Sequence, residues 1–153
     1  MRLFSILLAL GGLSLFSCHK DLSPEEQLQK DIGIIQDYLT KNGLTAQSTP
    51  SGLHYIITQA GSGDHPTINS TVIFQYTGYL TDGTVFDQSE PGKSATYSLS
   101  NLIVGWQEGM PLLGKGGKAK LLIPSALGYG PEGKGSIPGN TVLIFDIQLD
   151  DFH

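Results

Sequence analysis

The apolar positions of this chain follow two rhythms. From Leu28 they recur at Ile32, Ile35 and Leu39, spacings of 4, 3 and 4 that trace one stripe of an α-helix. Ile34 and Tyr38 widen that stripe. Ser23-Pro24-Glu25-Glu26 supplies its start: Ser as N-cap, Pro at the first helical position, and a Glu three residues after the Ser. Asn42-Gly43 supplies its stop. Gly33 weakens the helix by about 1 kcal/mol. Residues 44–51 read as a linker into a first strand, LHYIITQA. A second strand, TVIFQYTG, runs to an Asp82-Gly83 turn that leads directly into Phe86 and Asp87, a strong hairpin pattern. Leu102, Ile103, Trp106 and Met110 return to helical spacing, so a short helix there would bury one face against a sheet. Residues 121–145 give a strand into Pro124, a long Gly/Pro loop, and a last strand through Phe145.

The hairpin carries candidate chemistry. It returns Phe86 and Asp87 to the strand of Tyr76, which places a large aromatic, a phenol and a carboxylate in one patch. Small-ligand and peptide pockets combine apolar walls with a few polar anchors in this way. The plainer reading is a core Phe beside a surface Asp. Tyr129 and Ile137 weigh against it, because both are large apolar groups inside a polar loop. Loops carry such residues when they fold over something.

Residues from about 52 to 150 resemble the FKBP-type peptidyl-prolyl cis-trans isomerases, in the bacterial lipoprotein form. The motifs that carry the resemblance are FQYTGYLTDGTVFDQS, LIVGWQEGMPLLGKGGKAKLLIPSALGYG and IPGNTVLIFDIQL, in the family's order and near its spacing. The resemblance implies an α+β fold: a curved antiparallel half-barrel sheet wrapped around a short α-helix, here with an N-terminal helical extension. It also implies a proline-binding pocket. Tyr76, Phe86, Leu102, Ile103, Tyr129, Ile137 and Phe145 match its walls, Trp106 its floor and Asp87 its carboxylate. Tyr129 matches the phenol that binds a substrate or inhibitor carbonyl, and Ile103 the residue whose backbone amide binds another. Four positions depart from the family's pattern. No arginine follows Leu3, so the basic partner of the Phe-Asp pair is missing. Ala95 replaces a third aromatic, Gly139 a second proline, and Lys134 a histidine found in some members. These departures bear on inhibitor affinity and substrate preference.

Composition narrows the alternatives. A net charge of −5 and a single arginine, Arg2, leave the chain poorly equipped to neutralise phosphates, so nucleic acid is not an expected partner. The four His are scattered without metal-ligand spacing, and no Gly-x-Ser-x-Gly elbow occurs. GKGGK at 114–118 lacks the phosphate-loop pattern and reads as a turn.

The amino terminus sets an address. Met1-Arg2 precedes a 15-residue apolar run, LFSILLALGGLSLFS, shorter than the roughly 20 residues a spanning helix needs. It reads as a secretory signal. The only Cys, Cys18, follows Ser17 with Leu15 three positions before it, which resembles a bacterial lipoprotein signal whose Cys is lipidated. The expected organisation is a signal at 1–17, a lipid-anchored helix and linker at 18–50, and the isomerase domain at 51–153. The expected location is the bacterial envelope, on a membrane through that anchor. The helix is expected to pack on its own domain or to serve as a dimer contact or client-binding arm. Loss of residues 19–45 is expected to leave the pocket folded.

The expected activity is rotation about X-Pro bonds in envelope or surface protein clients, with macrolides as candidate inhibitors. No bond is made or broken, so neither a cofactor nor a metal is required. Asp87, Tyr129, Phe86 and Tyr76 are the candidate catalytic residues, and Leu102, Ile103, Trp106, Ile137 and Phe145 the candidate substrate-binding ones. Two readings from other classes remain: a chaperone or peptide-binding module that kept the pocket with little activity, and a lipoprotein that binds a small apolar ligand.

Overall fold

Alternation along the last strand organises the molecule. In a computed structural model, which describes residues 22–153, β7 (Leu143–Phe152) points Leu143, Phe145, Ile147 and Leu149 into the main core. Ile144 and Asp146 point to the opposite face. The signal at 1–17 and Cys18 lie outside the described residues.

Around β7 the sheet grows by antiparallel pairing. The strands are β1 (Gln47–Ser48), β2 (His54–Gln59), β3 (Thr71–Tyr79), β4 (Val85–Gln88), β5 (Ala95–Ser98) and β6 (Lys118–Ile123). Their order is β1-β2-β6-β7-β3-β4, with β5 also on β3. β4 and β5 share one edge of β3: Thr77–Tyr79 pair with β4 and Thr71–Phe74 with β5. The Asp82-Gly83 turn forms as expected. Gly83 lies at φ +90°, a conformation glycine adopts without strain, and Asp82 Oδ1 accepts the Thr84 N–H at 2.9 Å. The stretch read as a linker contributes β1 to the sheet edge, pairing Gln47 with Tyr55.

Two helices cover the sheet, one on each face, which makes the fold an open antiparallel α+β sheet. α2 (Val104–Gly109) lies against β6 because two glycines face it. A Cβ on Gly105 would stand 2.6 Å from Ile123 Cγ2, and one on Gly109 2.5 Å from Leu121 Cδ1. α1 (Pro24–Lys41) covers the other face and begins with the expected capping box, Ser23 N to Glu26 Oε2 at 2.8 Å and Glu26 N to Ser23 Oγ at 3.2 Å. Ile35 and Leu39 pack with Leu122, Val142 and Ile144 in a second apolar cluster.

The buried seam of α1 differs from the stripe read in the sequence. Gln27, Asp31, Ile35 and Leu39 are buried, whereas Leu28 and Ile32 are half-buried and cover Gly52. Polar partners make this rotation possible. Asp31 collects three hydrogen bonds, and Gln36 Nε2 meets the buried His54 Nε2 at 3.2 Å. The helix therefore shares a core with the sheet, and losing residues 19–45 would uncover Leu122, Val142 and Ile144, all at most 3 % exposed.

Candidate proline-binding pocket

β3 sends Phe74, Tyr76 and Gly78 to the concave side, and the hairpin lays Asp87 opposite Gly78. Gly78 is needed there, since a Cβ would meet Phe145 Cε1 at 2.6 Å and Phe86 Cε2 at 2.7 Å. The two rings close over this bare backbone and meet edge to face at 5.5 Å. Trp106 forms the floor, 4 % exposed, with its ring 4.8 Å from Phe74, 5.3 Å from Tyr76 and 5.0 Å from Phe145. All three contacts are edge to face, the arrangement that aromatic quadrupoles favour.

The cavity above this floor has a volume of about 270 Å³. Tyr76, Asp87, Leu102, Ile103, Trp106, Tyr129 and Phe145 line it, so most of the residues read from the sequence converge here. Phe86 and Ile137 do not line it. Both pack against the main core, Phe86 edge to face on Phe145 and Ile137 only 8 % exposed. Phe74, Tyr97, Asn101 and Lys134 also line the cavity and were not read as site residues. Alternation along β3 from Tyr76 could have revealed Phe74. Tyr97 lies on β5, a strand the sequence reading did not contain.

Polar groups sit at the rim. Tyr76 donates its hydroxyl to Asp87 Oδ2 at 2.8 Å, which fixes the carboxyl although Asp87 is exposed. Burial, followed by that hydrogen bond, pushes the Tyr76 phenol well above its ordinary value of 10.0. Burial and the Asp87 charge raise Tyr129 as well. Both phenols are thus neutral donors at physiological pH. The Tyr129 hydroxyl bonds to no other described residue, and Lys134 Nζ stands 5.1 Å from its ring centre. Ile103 precedes α2 in an extended conformation, φ −60° and ψ 152°, and its carbonyl accepts from Trp106 and Gln107. Its N–H has no acceptor among the described residues. Gln107 Nε2 donates to Leu102 O at 2.7 Å and holds this segment in place.

The departure at Gly139 has a local cause. A Cβ there would stand 1.8 Å from Pro131 O, because the two limbs of the loop touch backbone to backbone. GKGGK forms the expected turn, with Gly117 N bonded to Gly114 O at 2.9 Å. Among the described residues no cluster of three or more His, Cys, Asp or Glu could hold a metal ion.

A larger recess of about 560 Å³ lies on the opposite face of the sheet, beside Leu44 and Ile56. Its lining mixes apolar groups with Gln75, Gln88 and Gln148, and its Lys120 is already paired with Asp146 at 2.6 Å. It lacks the aromatic enclosure of the smaller cavity, which is therefore the better candidate site.

A half-open antiparallel sheet closed over a short helix, with a Trp-floored aromatic cavity, defines the class of protein: an open antiparallel α+β fold with an enclosed aromatic cavity. Comparison places it within that class. The family described as FKBP-type peptidyl-prolyl cis-trans isomerase matches residues 63–150, and the chain belongs to this family. Over 117 residues it is 45 % identical to an Aeromonas hydrophila protein named FKBP-type peptidyl-prolyl cis-trans isomerase FkpA, covering 74 % of this chain and 44 % of that one. It is 41 % identical over 127 residues to a Legionella longbeachae protein named outer membrane protein MIP, covering 82 % and 54 %. The crystal structure of FkpA from Escherichia coli superposes with a TM-score of 0.73 at 36 % identity, covering 84 % of this chain and 62 % of that one. The chain thus spans about half the length of these curated relatives.

Proposed function

We propose that this chain is a peptidyl-prolyl cis-trans isomerase that accelerates X-Pro rotation in proteins of the bacterial envelope or surface. The observation that carries the reading is the Tyr129 hydroxyl, a protonated donor with no described protein partner, beside a Trp-floored aromatic cavity. A volume of about 270 Å³ lies just below the roughly 300–1,000 Å³ of ordinary ligand pockets, which suits one prolyl ring of a longer chain.

The mechanism follows from amide physics. Resonance gives the C–N bond double-bond character and a barrier of about 18–20 kcal/mol. Water stabilises the planar, charge-separated amide more than the twisted one. An apolar box around the prolyl ring removes part of that solvation, and tighter binding of the twisted form does the rest. In this reading Trp106, Tyr76 and Phe145 hold the ring, with Leu102 at the rim and Phe86 and Ile137 supporting the wall. Tyr129 and the Ile103 amide bind the flanking carbonyls. Asp87, held by Tyr76, orients the site and shapes its field. No proton transfer enters, because rotation requires none.

The proposed organisation keeps a signal at 1–17, an anchored segment at 18–50 and the isomerase domain at 51–153. Acylation of Cys18 would hold the domain at a membrane, since two or more acyl chains anchor stably where one is marginal. The name of the Legionella relative, outer membrane protein MIP, supports an envelope address. Isomerisation of a short X-Pro peptide, measured with and without a macrolide inhibitor, tests the activity. A folded protein that bound the peptide without accelerating isomerisation would overturn the enzyme reading and leave a peptide-binding module.

A further inference from the structure

Asp31 is the one acidic residue on the buried seam of α1, and it is fully buried. A buried carboxyl group is costly unless donors surround it. Gln27 Nε2 donates to Oδ1 at 2.7 Å. The Ser125 N–H at 2.7 Å and the Ser125 hydroxyl at 2.6 Å both donate to Oδ2. Its neighbours along the seam, Ile35 and Leu39, seat the helix by apolar packing alone.

Ser125 opens the loop that carries Tyr129. Its carbonyl accepts the N–H of Gly128 at 3.0 Å and of Gly130 at 2.8 Å, the residues on either side of Tyr129. Gly130 lies at φ +62°, and its carbonyl accepts the Asn140 N–H at 2.8 Å, which ties the two limbs of the loop together. A continuous run of hydrogen bonds therefore leads from α1 to the backbone that aims the Tyr129 phenol. α1 lies on the face of the sheet opposite the pocket, so this run connects the N-terminal helix to the site across one edge of the domain.

We propose that Asp31 is a positioning residue for Tyr129, setting the loop through Ser125. The inference rests on the substrate-binding role given to Tyr129 above. Loss of the Asp31 carboxyl leaves two Ser125 donors without an acceptor and frees the loop to drift. Asp31→Asn can retain the connection: its oxygen faces Ser125 while the Gln27 amide turns to accept from the new nitrogen.

The test compares full-length variants with the parent protein on an X-Pro peptide, with circular dichroism and urea melts to confirm folding. Asp31→Ala should lower kcat/KM roughly three- to tenfold, the range one substrate hydrogen bond covers. Asp31→Asn should restore most of it. Leu39→Ala destabilises the same helix without touching Ser125, and its kcat/KM should stay near the parent value. In a Tyr129→Phe background, Asp31→Ala should have little further effect, since the phenol it aims is gone. Amide exchange at Gly128 and Gly130 should quicken in Asp31→Ala and not in Leu39→Ala. Ser125→Ala, which removes one of the two donors, gives the same reading by exchange and kinetics if Asp31→Ala fails to fold.

Parent-like exchange at these glycines, or additive losses with Tyr129→Phe, would overturn the proposal. Impaired Tyr129→Phe with unimpaired Asp31→Ala would overturn it alone. A fully active, folded Tyr129→Phe would overturn the role of Tyr129 and this inference with it.

Discussion

Tyr76 and Asp87 meet at 2.8 Å across the mouth of the hairpin, and Tyr129 faces the same cavity without a described partner. The two arrangements predict different sensitivities. Asp87→Leu removes the carboxyl that orders the rim while keeping much of the bulk. Peptide kcat/KM should fall by an order of magnitude or more, about 1.4 kcal/mol on the barrier. In its proposed role Tyr129 gives one substrate hydrogen bond, worth roughly 0.5–1.5 kcal/mol, so the effect of Tyr129→Phe should be milder. A folded double variant with parental kcat/KM would show that apolar enclosure alone accounts for catalysis. The phenols also set a pH signature. Tyr76, Tyr79 and Tyr129 are all raised above 10.0 in the fold, first of all by burial. Above pH 10 the unfolded chain therefore binds fewer protons than the folded one. The contribution of these phenols to stability is complete below pH 10 and is lost as pH rises beyond it. Urea melts should show the midpoint declining as pH rises above 10. A midpoint that stays constant above pH 10 would mean that these phenols contribute nothing to stability through burial.

α1 and α2 use the sheet in different ways. α2 has six residues and lies close to β6 through Gly105 and Gly109, which brings Trp106 beneath the pocket. α1 has 18 residues and closes the far face over Leu122, Val142 and Ile144. Leu39→Ala should destabilise the protein by about 2–5 kcal/mol in urea titration, the cost of emptying a buried leucine site. A loss below about 0.5 kcal/mol, the level of an ordinary surface change, would mean that the helix rests loosely on the sheet. Removing residues 19–45 should lower the urea midpoint further, because it uncovers the same cluster and leaves Ser125 without Asp31.

For the molecule as a whole, the pocket opens on the face of the sheet opposite α1. A domain held through residues preceding α1 would be tethered from its back and keep its pocket free for clients. Cys18→Ser should release the protein from membranes into the soluble envelope fraction or leave its signal uncleaved, as read by fractionation and mass spectrometry. An unmodified mature terminus at a residue other than Cys18 would rule out the lipid anchor.

Local chemistry alone located the capping box at Ser23, the Asp82-Gly83 turn and the helix around Trp106, since each depends on residues within a few positions of one another. The identity of most pocket residues was legible for a related reason: the resemblance runs through contiguous motifs, and the fold brings those motifs together. Other features depend on surfaces that meet only when distant segments pack. Spacing shows that α1 has an apolar side, but Asp31 rather than Ile32 turns inward because Ser125, 94 residues away, supplies its donors. Likewise, Phe86 and Ile137 look like pocket residues in one dimension. Phe86 packs edge to face on Phe145 outside the cavity lining, and Tyr97 reaches the cavity from β5, a short strand that pairs only because β3 has an open edge. A residue's own element sets the direction of its side chain, while the surface it meets is decided by the pairing of segments far apart in the chain.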